Sequence, residues 1–393
     1  MHNIIRRFLL LFMVLLLTGC ACCTTDPKIT PIKEDWLCLL NRAPNAWMRG
    51  ADNWFITGHY RHNPAKNIFS VKIHTPDFDK IVVNGNFTVH IVGPEYTSNS
   101  VAVAGVDPFV ARALIRIQNR TLYLTQPKDC PLNFANVLVR VGVCNLRSLR
   151  AYGCGNIYGR GVLSNGLSLY SSGPGNIMLM GNMNVRDINQ LGTGTITLYG
   201  VNTPCLTMQV IGKGNVNVCG QVGVQSIVHR GDGKIDILGM DSPQLTIFAT
   251  GDGLTQALGV ANLKRVSAYN HSQVYLYWVQ SDNTTIVERD YAKVGVAGTT
   301  TTLTVDTKGT SQFEGQYLFA RSAYATTHDS SHASVNATGQ LFLSANDSSS
   351  IYYFSRVKEF SALTTGRGIV LRTHSVPCCL AAPVKRRVYK GEV

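Results

Sequence analysis

The residues best suited to acid–base chemistry are two aspartates, Asp232 and Asp252, each at the centre of a Gly-Asp-Gly triplet and 20 positions apart. If segments of that length stack, the two carboxylates lie one stacking step apart. Retaining glycosidases hold paired carboxyl groups about 5–5.5 Å apart, so the pair is compatible with polysaccharide cleavage. Plain turn chemistry explains it better. Asp-Gly is a favoured turn pair, Lys213 stands in the neighbouring triplet to offset the charge, and no third polar group is positioned by any pattern. The same aspartates are a weak cation candidate, but a calcium shell takes about 6–8 oxygens and the chain has only 23 Asp and Glu against 36 Lys and Arg. The expectation is a protein with no catalytic residue, no metal and no cofactor.

A different chemistry stands at the N-terminus. Arg6 and Arg7 precede an almost unbroken apolar run, Phe8 to Leu17, followed by Leu17-Thr18-Gly19-Cys20. A basic start, a short apolar core and small residues before a cut describe a secretory signal, and the run is too short for a membrane span of roughly 20 residues. Its last four residues are similar to a bacterial lipobox. That resemblance implies removal of residues 1–19, lipidation of Cys20 and a bilayer as partner. Ala21, being non-acidic, implies the outer membrane, with the protein facing the periplasm or the cell surface. Ten cysteines remain: Cys22, Cys23, Cys38, Cys130, Cys144, Cys154, Cys205, Cys219, Cys378 and Cys379. In an oxidising compartment they read as disulfide partners or as buried thiols. The adjacent pairs, Cys22-Cys23 and Cys378-Cys379, are positioned to staple the two ends together or to link a second chain.

Net charge is +13, falling by two to +11 when Arg6 and Arg7 are removed. The charges are scattered, with no basic helix and no aromatic-basic motif, so nucleic acid is not the expected partner. Anionic lipid, glycan or protein suits an exported chain better.

The elements that position all these residues come from a repeat. Gly-x-Gly recurs with first glycines at Gly153, Gly173, Gly192, Gly212, Gly231 and Gly251, spaced 20, 19, 20, 19 and 20. Continuing the rhythm lands on Asn270, Asp290, Gly309, Asp329 and Ser348. Four residues after each first position stand Ile157, Ile177, Ile196, Val216, Ile235, Thr255, Val274, Val294 and Phe313; two further on come Leu179, Leu198, Val218, Ile237, Ala257, Leu276 and Val296. Alternation with period two places both sets on one face of a strand. Ahead of the turns, Leu167 and Leu169 match Leu206 and Met208, while Val185 and Ile188 match Val224 and Ile227, so a unit of 39 residues holds two unequal coils. A coil of about 20 residues cannot bury its own apolar face, and stacking coils builds a continuous core. Glycine supplies φ > 0 at the turns, and Asn156, Asn176 and Asn215 sit in register for an amide ladder. A β-propeller, with blades of roughly 40–50 residues, fits less well because of the half-period and the lack of Trp-Asp signatures.

Upstream, Phe78-Asp79-Lys80-Ile81-Val82-Val83-Asn84-Gly85-Asn86-Phe87-Thr88-Val89 reads as a strand and its partner, followed by short strands through Leu122 and Val137 to Val143 and then the Gly-x-Gly-Asn-Ile coils. This stretch, about 78–280 and fading towards 371, resembles the GIN head domain of auto-transporter adhesins. The resemblance implies an all-β fold, a right-handed parallel β-helix, exported and membrane-tethered, and it brings no catalytic residues. The expected organisation is a signal at 1–19, a tether and irregular segment at 20–65 holding Trp36, Trp47 and Trp54, and a β-rich start of the solenoid at 66–150. Repeated coils occupy 151–372, and a basic tail at 373–393 contains Lys385-Arg386-Arg387.

The outward strand positions carry the functional expectation. Five residues past each first glycine the column is mixed: Tyr158, Met178, Thr197, Asn217, Asp236, Gln256 and Tyr275. Seven past, it reads Arg160, Met180, Tyr199, Cys219, Leu238, Leu258 and Tyr277, largely apolar where a solvated face is expected. An apolar stripe of that length implies something that covers it: the chain's own N-terminal segment, a second copy, or a ligand. Met180, Tyr199, Leu238, Leu258 and Tyr277 are therefore the candidate docking stripe. Two functions follow. One is a non-catalytic anchored module for binding or adhesion to glycan or protein; the other is a structural subunit of an envelope or secretion-related assembly, homo-oligomeric or mixed. A polysaccharide-cleaving enzyme trails both.

Overall fold

The computed structural model describes residues 61–63, 68–73, 75–93, 99–105, 114–126, 134–354 and 357–373. Cys20, Trp36, Trp47, Trp54, the basic run at 385–387, and Cys22, Cys23, Cys38, Cys130, Cys378 and Cys379 lie outside the described residues.

Short strands come first: β1 (Arg61–Asn63), β2 (Ile68–Ile73), β3 (Lys80–Asn84), β4 (Thr88–Val92), β5 (Ser100–Ala104), β6 (Ile115–Gln118), β7 (Thr121–Thr125), β8 (Leu138–Gly142) and β9 (Ser148–Ala151). Ten long ones follow: β10 (Ile157–Ser171), β11 (Ile177–Gln190), β12 (Thr195–Gly212), β13 (Asn215–Gly231), β14 (Lys234–Thr250), β15 (Leu254–Ala268), β16 (Gln273–Glu288), β17 (Lys293–Thr307), β18 (Gln312–Thr327) and β19 (His332–Ala345). Then come β20 (Ser350–Tyr353), β21 (Glu359–Thr364) and β22 (Ile369–Arg372). Each long strand is most of one coil, bent at a register shift, and pairs in parallel with the next. The fold is a parallel β-solenoid of about 12 turns.

The inner ladder follows the expected register. Ile157, Ile177, Ile196, Val216, Ile235, Thr255, Val274, Val294 and Phe313 are successive partners, all buried. The second set, Leu179 to Val296, forms a parallel inner ladder beside it. Leu169, Ile188, Met208, Ile227, Ile247 and Val266 make a third on the opposite leg. The amide ladder also forms, through the backbone: Oδ1 of Asn156, Asn176 and Asn215 accepts from the N–H of Asn176, Thr195 and Lys234, one coil on, at 3.0, 2.9 and 2.8 Å.

The turns differ from expectation in their physics. Asn270, Asp290, Gly309 and Asp329 do take positive φ, at 59°, 64°, 85° and 60°. Gly173, Gly192 and Gly231 do not; they are needed because a Cβ there would lie 2.0–2.1 Å from a carbonyl oxygen of the coil below. Gly153, Gly173, Gly192 and Gly231 thus serve close stacking, whereas Gly212 and Gly251, at φ 97° and 101°, serve left-handed backbone as expected, a conformation that Asn and Asp tolerate at the later turns. The last predicted turn is one residue off: Asp347, not Ser348, has φ 60°, because that coil is one residue shorter.

At the N-terminal end, β3 and β4 are not partners of each other. They are two legs of one coil. β3 lies between β7 and β9, and β4 between β8 and β10. The coil of β7 and β8 therefore stacks outside that of β3 and β4 although it follows it in the chain. Antiparallel strands close this end: β5 on β8, β2 on β5, β1 on β2, and β6 on β7.

A file of polar side chains runs inside one corner of the core. Ser171 pairs with Gln190, and His229, Glu288, Thr307 and Thr327 continue the column between Val210, Ala249 and Ala268. The second glycine of the turn makes room for the larger ones: a Cβ on Gly214 would be 2.3 Å from Gln190 Nε2, and one on Gly253 2.4 Å from His229 Cε1. Each finds what it can. Gln190 Nε2 donates to the Gly194 carbonyl at 2.5 Å, and His229 Nδ1 is 3.0 Å from the Thr255 hydroxyl. Thr307 and Thr327 meet the hydroxyls of Ser331 and Ser349 at 3.0 and 2.7 Å. Two members find none among the described residues: the Ser171 hydroxyl has no hydrogen-bond partner, and Glu288 is fully buried with neither carboxyl oxygen partnered.

Candidate functional site

The outward column is an in-register ladder on the exterior of the solenoid. Met180, Tyr199, Cys219, Leu238, Leu258 and Tyr277 are consecutive partners in β11 to β16. Each follows a buried residue of the inner ladder and directly precedes the bend of its coil, where the pairing register shifts. They do not turn into the core. Leu238 is 51% exposed, and the other five are part-buried by their neighbours in the stack. Arg160, the expected first member, stands outside this register and pairs with Val92 of β4 instead. Burial raises the pKa of the Cys219 thiol, and burial followed by the neighbouring Cys219 raises that of the Tyr199 phenol. Both side chains thus present neutral, weakly polar surfaces at neutral pH.

At the bend beside the ladder runs a second glycine column that the Gly-x-Gly search overlooks. Gly161, Gly200 and Gly239 recur every 39 residues with φ 63°, 74° and 84°. A Cβ on Gly200 or Gly239 would lie 2.1 or 1.9 Å from the carbonyl oxygen of Gly181 or Gly220. The next member is Trp278, which keeps the left-handed backbone, φ 71°. A bulky side chain in that region is a true outlier, at a cost of roughly 1–2 kcal/mol. Such strain clusters at binding and switch sites. The signal was legible in the sequence: Gly161, Gly181, Gly200, Gly220, Gly239, Gly259 and Gly298 keep the alternating 20 and 19 spacing, and only Trp278 breaks it. It places an indole next to Tyr277, at the end of the apolar ladder.

The mixed column beside it is less uniform than predicted. Tyr158 and Met178 are exposed, but Thr197 is only 8% exposed, and its hydroxyl accepts from Asn217 Nδ2 at 3.4 Å. Tyr275 lies against Gly295, where a Cβ would come 2.6 Å from the ring. Burial, then the charge of Glu314, pushes the Tyr275 phenol up. The turn-tip pair behaves as turn chemistry. Asp232 and Asp252 are both exposed, and Asp252 pairs not with Lys213 but with His271 Nδ1 at 3.3 Å. The His271 ring in turn stacks on Tyr291 with centroids 4.7 Å apart. No group of three or more His, Cys, Asp or Glu among the described residues is arranged to hold a metal ion. Among the described residues Cys154, Cys205 and Cys219 form no disulfide.

The family model described as "Putative auto-transporter adhesin, head GIN domain" matches residues 77–277, spanning the early coils, the apolar ladder and its terminal Tyr277. The chain belongs to this family. Solved structures to which the chain is similar include a putative adhesin from Bacteroides fragilis NCTC 9343, at 15% identity over 79% of this chain and 99% of that one, TM-score 0.25. A putative lipid binding protein from Parabacteroides distasonis ATCC 8503 matches at 16% identity over 78% and 96%, TM-score 0.25. A putative adhesin from Parabacteroides merdae ATCC 43184 matches at 13% identity over 78% and 96%, TM-score 0.25. Among curated proteins no match is found. The GIN family assignment rests on the family model alone.

Proposed function

We propose that this GIN-domain chain is an exported, non-catalytic binding module, lipid-anchored through Cys20 to the outer membrane, which holds a glycan or protein on its outward ladder. The observation that carries the reading is the ladder itself. Six apolar residues, Met180 to Tyr277, stand in register on the outside of a rigid stack, and a strained tryptophan abuts its end. Stripes of this kind mark interaction sites, and aromatic residues dominate binding energetics at such surfaces. The adhesin description of the family supports binding rather than catalysis. The pairing of Asp252 with His271 leaves the acidic turn tips as surface chemistry. The test is the full chain in detergent, wild type against the double variant Y199K/L238K, on a glycan array and against solubilised envelope proteins. The variant should fold like wild type by circular dichroism and lose binding. Equal binding by both proteins refutes the ladder as the docking face.

A second reading, a structural subunit of an envelope assembly, is favoured by the far end of the solenoid. All six residues of β21 are exposed, and among the described residues its ladder bonds go to β19 only. Phe360, Leu363, Ile369 and Leu371 are exposed there too. A bare strand edge is a template for another chain. L363K should then abolish self-association in sedimentation while leaving ladder binding intact.

A further inference from the structure

We infer that the far end of the outward ladder is a sugar subsite: the outward face of β16 to β18 seats one uncharged sugar ring on Tyr275, with Glu314 and Lys293 holding its hydroxyl groups. This deepens the binding reading by choosing glycan over protein, and it rests on that reading in taking the outward face for the binding face.

Three neighbouring coils give this stretch a relief that the earlier coils of the ladder lack. On β16 the outward residues are Tyr275 and Tyr277, with Trp278 at the bend. Their partners on β17 are small: Gly295 stands opposite Tyr275 and Ala297 opposite Tyr277, and Gly298 follows at once. β17 has no counterpart of Trp278, because Tyr277 and Val279 pair with the consecutive residues Ala297 and Gly298. On β18 the relief rises again. Glu314 stands opposite Gly295, and Tyr317, 37% exposed, directly precedes Leu318, the partner of Gly298. A trough with β17 as its floor therefore runs across the solenoid, between walls that are two coil steps, or about 9.6 Å, apart.

Tyr275 lies down in one end of this trough. A Cβ on Gly295 would be 2.6 and 2.9 Å from Cδ1 and Cε1 of the ring, and 3.8 Å from Glu314 Oε2. The missing side chain is what lets the ring rest on the floor and lets the carboxylate of the next coil approach it. Glu314 is held by one oxygen only: Gln312 Nε2 donates to Oε1 at 3.2 Å. Glu314 Oε2 and the Tyr275 hydroxyl have no hydrogen-bond partner among the described residues, and neither atom is sealed from solvent. Lys293 is exposed and pairs with Gln312 in the column beside Glu314. Burial raises the Glu314 pKa, and the Lys293 charge opposes that rise. At the other end of the trough the strained Trp278 and the exposed Tyr317 bracket Gly298 from the two flanking coils, where the next ring of a chain would lie.

Each group selects the ligand by what it lacks. The Tyr275 ring offers an apolar face to C–H surface. Glu314 Oε2 needs a donor, Lys293 carries three N–H donors that need acceptors, and the Tyr275 hydroxyl takes either. A pyranose or furanose ring brings all of these together: C–H groups on its faces and, at its edge, hydroxyls that both donate and accept. An anionic ligand meets Glu314 as a like charge. A cation is drawn to aromatic faces but meets Lys293 as a like charge. An uncharged ring with neighbouring hydroxyls satisfies both.

The test titrates the full chain in detergent, by calorimetry, with maltose, cellobiose, diacetylchitobiose and xylobiose, and with digalacturonate and choline chloride as charged probes. At least one neutral disaccharide should bind. Tyr275→Ala, which removes the seat, should weaken it about tenfold or more. Glu314→Gln, which keeps the shape and is the safer variant for folding, should weaken it several-fold, as loss of a hydrogen bond to a charged group does. Both are checked for folding by circular dichroism. The ladder variant Y199K/L238K, altered in β12 and β14, should bind the disaccharide like wild type. Binding of digalacturonate or choline in place of the neutral sugars overturns the ligand class. Disaccharide binding that neither Tyr275→Ala nor Glu314→Gln weakens, or that the ladder variant abolishes, overturns the placing of the subsite. If no disaccharide binds while wild type still holds an array or envelope ligand that the ladder variant loses, the subsite falls and the ladder reading stands.

Discussion

Replacing Glu288 by glutamine should remove a pH dependence that is built into the solenoid core. Glu288 is fully buried between Ala268 and Thr307 of the adjacent coils, and neither carboxyl oxygen has a partner among the described residues. Burial first, and the charge of Glu314 second, raise its pKa well above the ordinary 4.5. Arg289 beside it does not neutralise it, being engaged with Asp306 at 2.5 Å. The folded protein therefore keeps Glu288 protonated at pH values where the unfolded chain has lost that proton. With more protons bound in the native state, stability falls as pH rises. The contribution is fully present below about pH 4.5 and is lost as pH climbs through the folded pKa, on the order of 1 kcal/mol for each pH unit in that window. Glutamine keeps the size and removes the titration. Midpoints of thermal unfolding, followed by circular dichroism from pH 5 to 8, should be similar for the two proteins at pH 5, with the variant increasingly the more stable above it. The comparison is between midpoints at each pH, because long repeat arrays lose two-state behaviour. Curves that run parallel across the whole range would refute the reasoning.

Other outcomes follow from single features. Ile196→Ala should destabilise by about 2–5 kcal/mol, as large-to-small core changes do, while Met178→Asp on the exposed face of the preceding coil should be tolerated; urea midpoints decide. Trp278→Gly should stabilise the fold by roughly 1–2 kcal/mol by relieving left-handed strain and weaken ladder binding, a trade-off visible by measuring unfolding and binding on the same sample. Cys20→Ala should abolish incorporation of labelled fatty acid and move the protein out of the membrane fraction; a variant that stays with the membranes, beside a wild type that takes up no label, rules out the anchor.

The inner ladder from Ile157 to Phe313 was legible in the sequence because the glycine rhythm pins the register, and period-two alternation then decides which face is inward. Even the degenerate turns at Asn270, Asp290 and Asp329 were located, since Asn and Asp are the residues that replace glycine at positive φ most cheaply. What stayed hidden depends on contacts between coils. Thr197 looks outward in sequence, yet its neighbours in the stack cover it. Gln190, His229 and Glu288 read as polar residues near a turn, and only the stacking of Gly214 and Gly253 over the first two shows that the file is interior. The order of the first coils was illegible as well. Nothing local to Thr121–Gly142 says that it stacks outside Lys80–Val92, because strand pairing between distant segments is a tertiary choice. The apolar ladder was found as a column of residue types. The pairing of Asp79 with Arg120 and Arg147 was not, because its parts come from three coils and converge only when β7, β3 and β9 lie side by side.

The central claim, that the outward ladder is the face that engages a partner, is tested most directly by site-specific photo-crosslinking in intact cells. A photoreactive side chain is placed at Leu238 or Leu258 in the ladder, and at exposed Leu191 on a turn as control. The account predicts a discrete crosslinked product from both ladder positions, absent from the control and lost when Tyr199 is changed to Lys in the same chain. Crosslinks that are equal at all three positions, or that form at Leu191 alone, would contradict it.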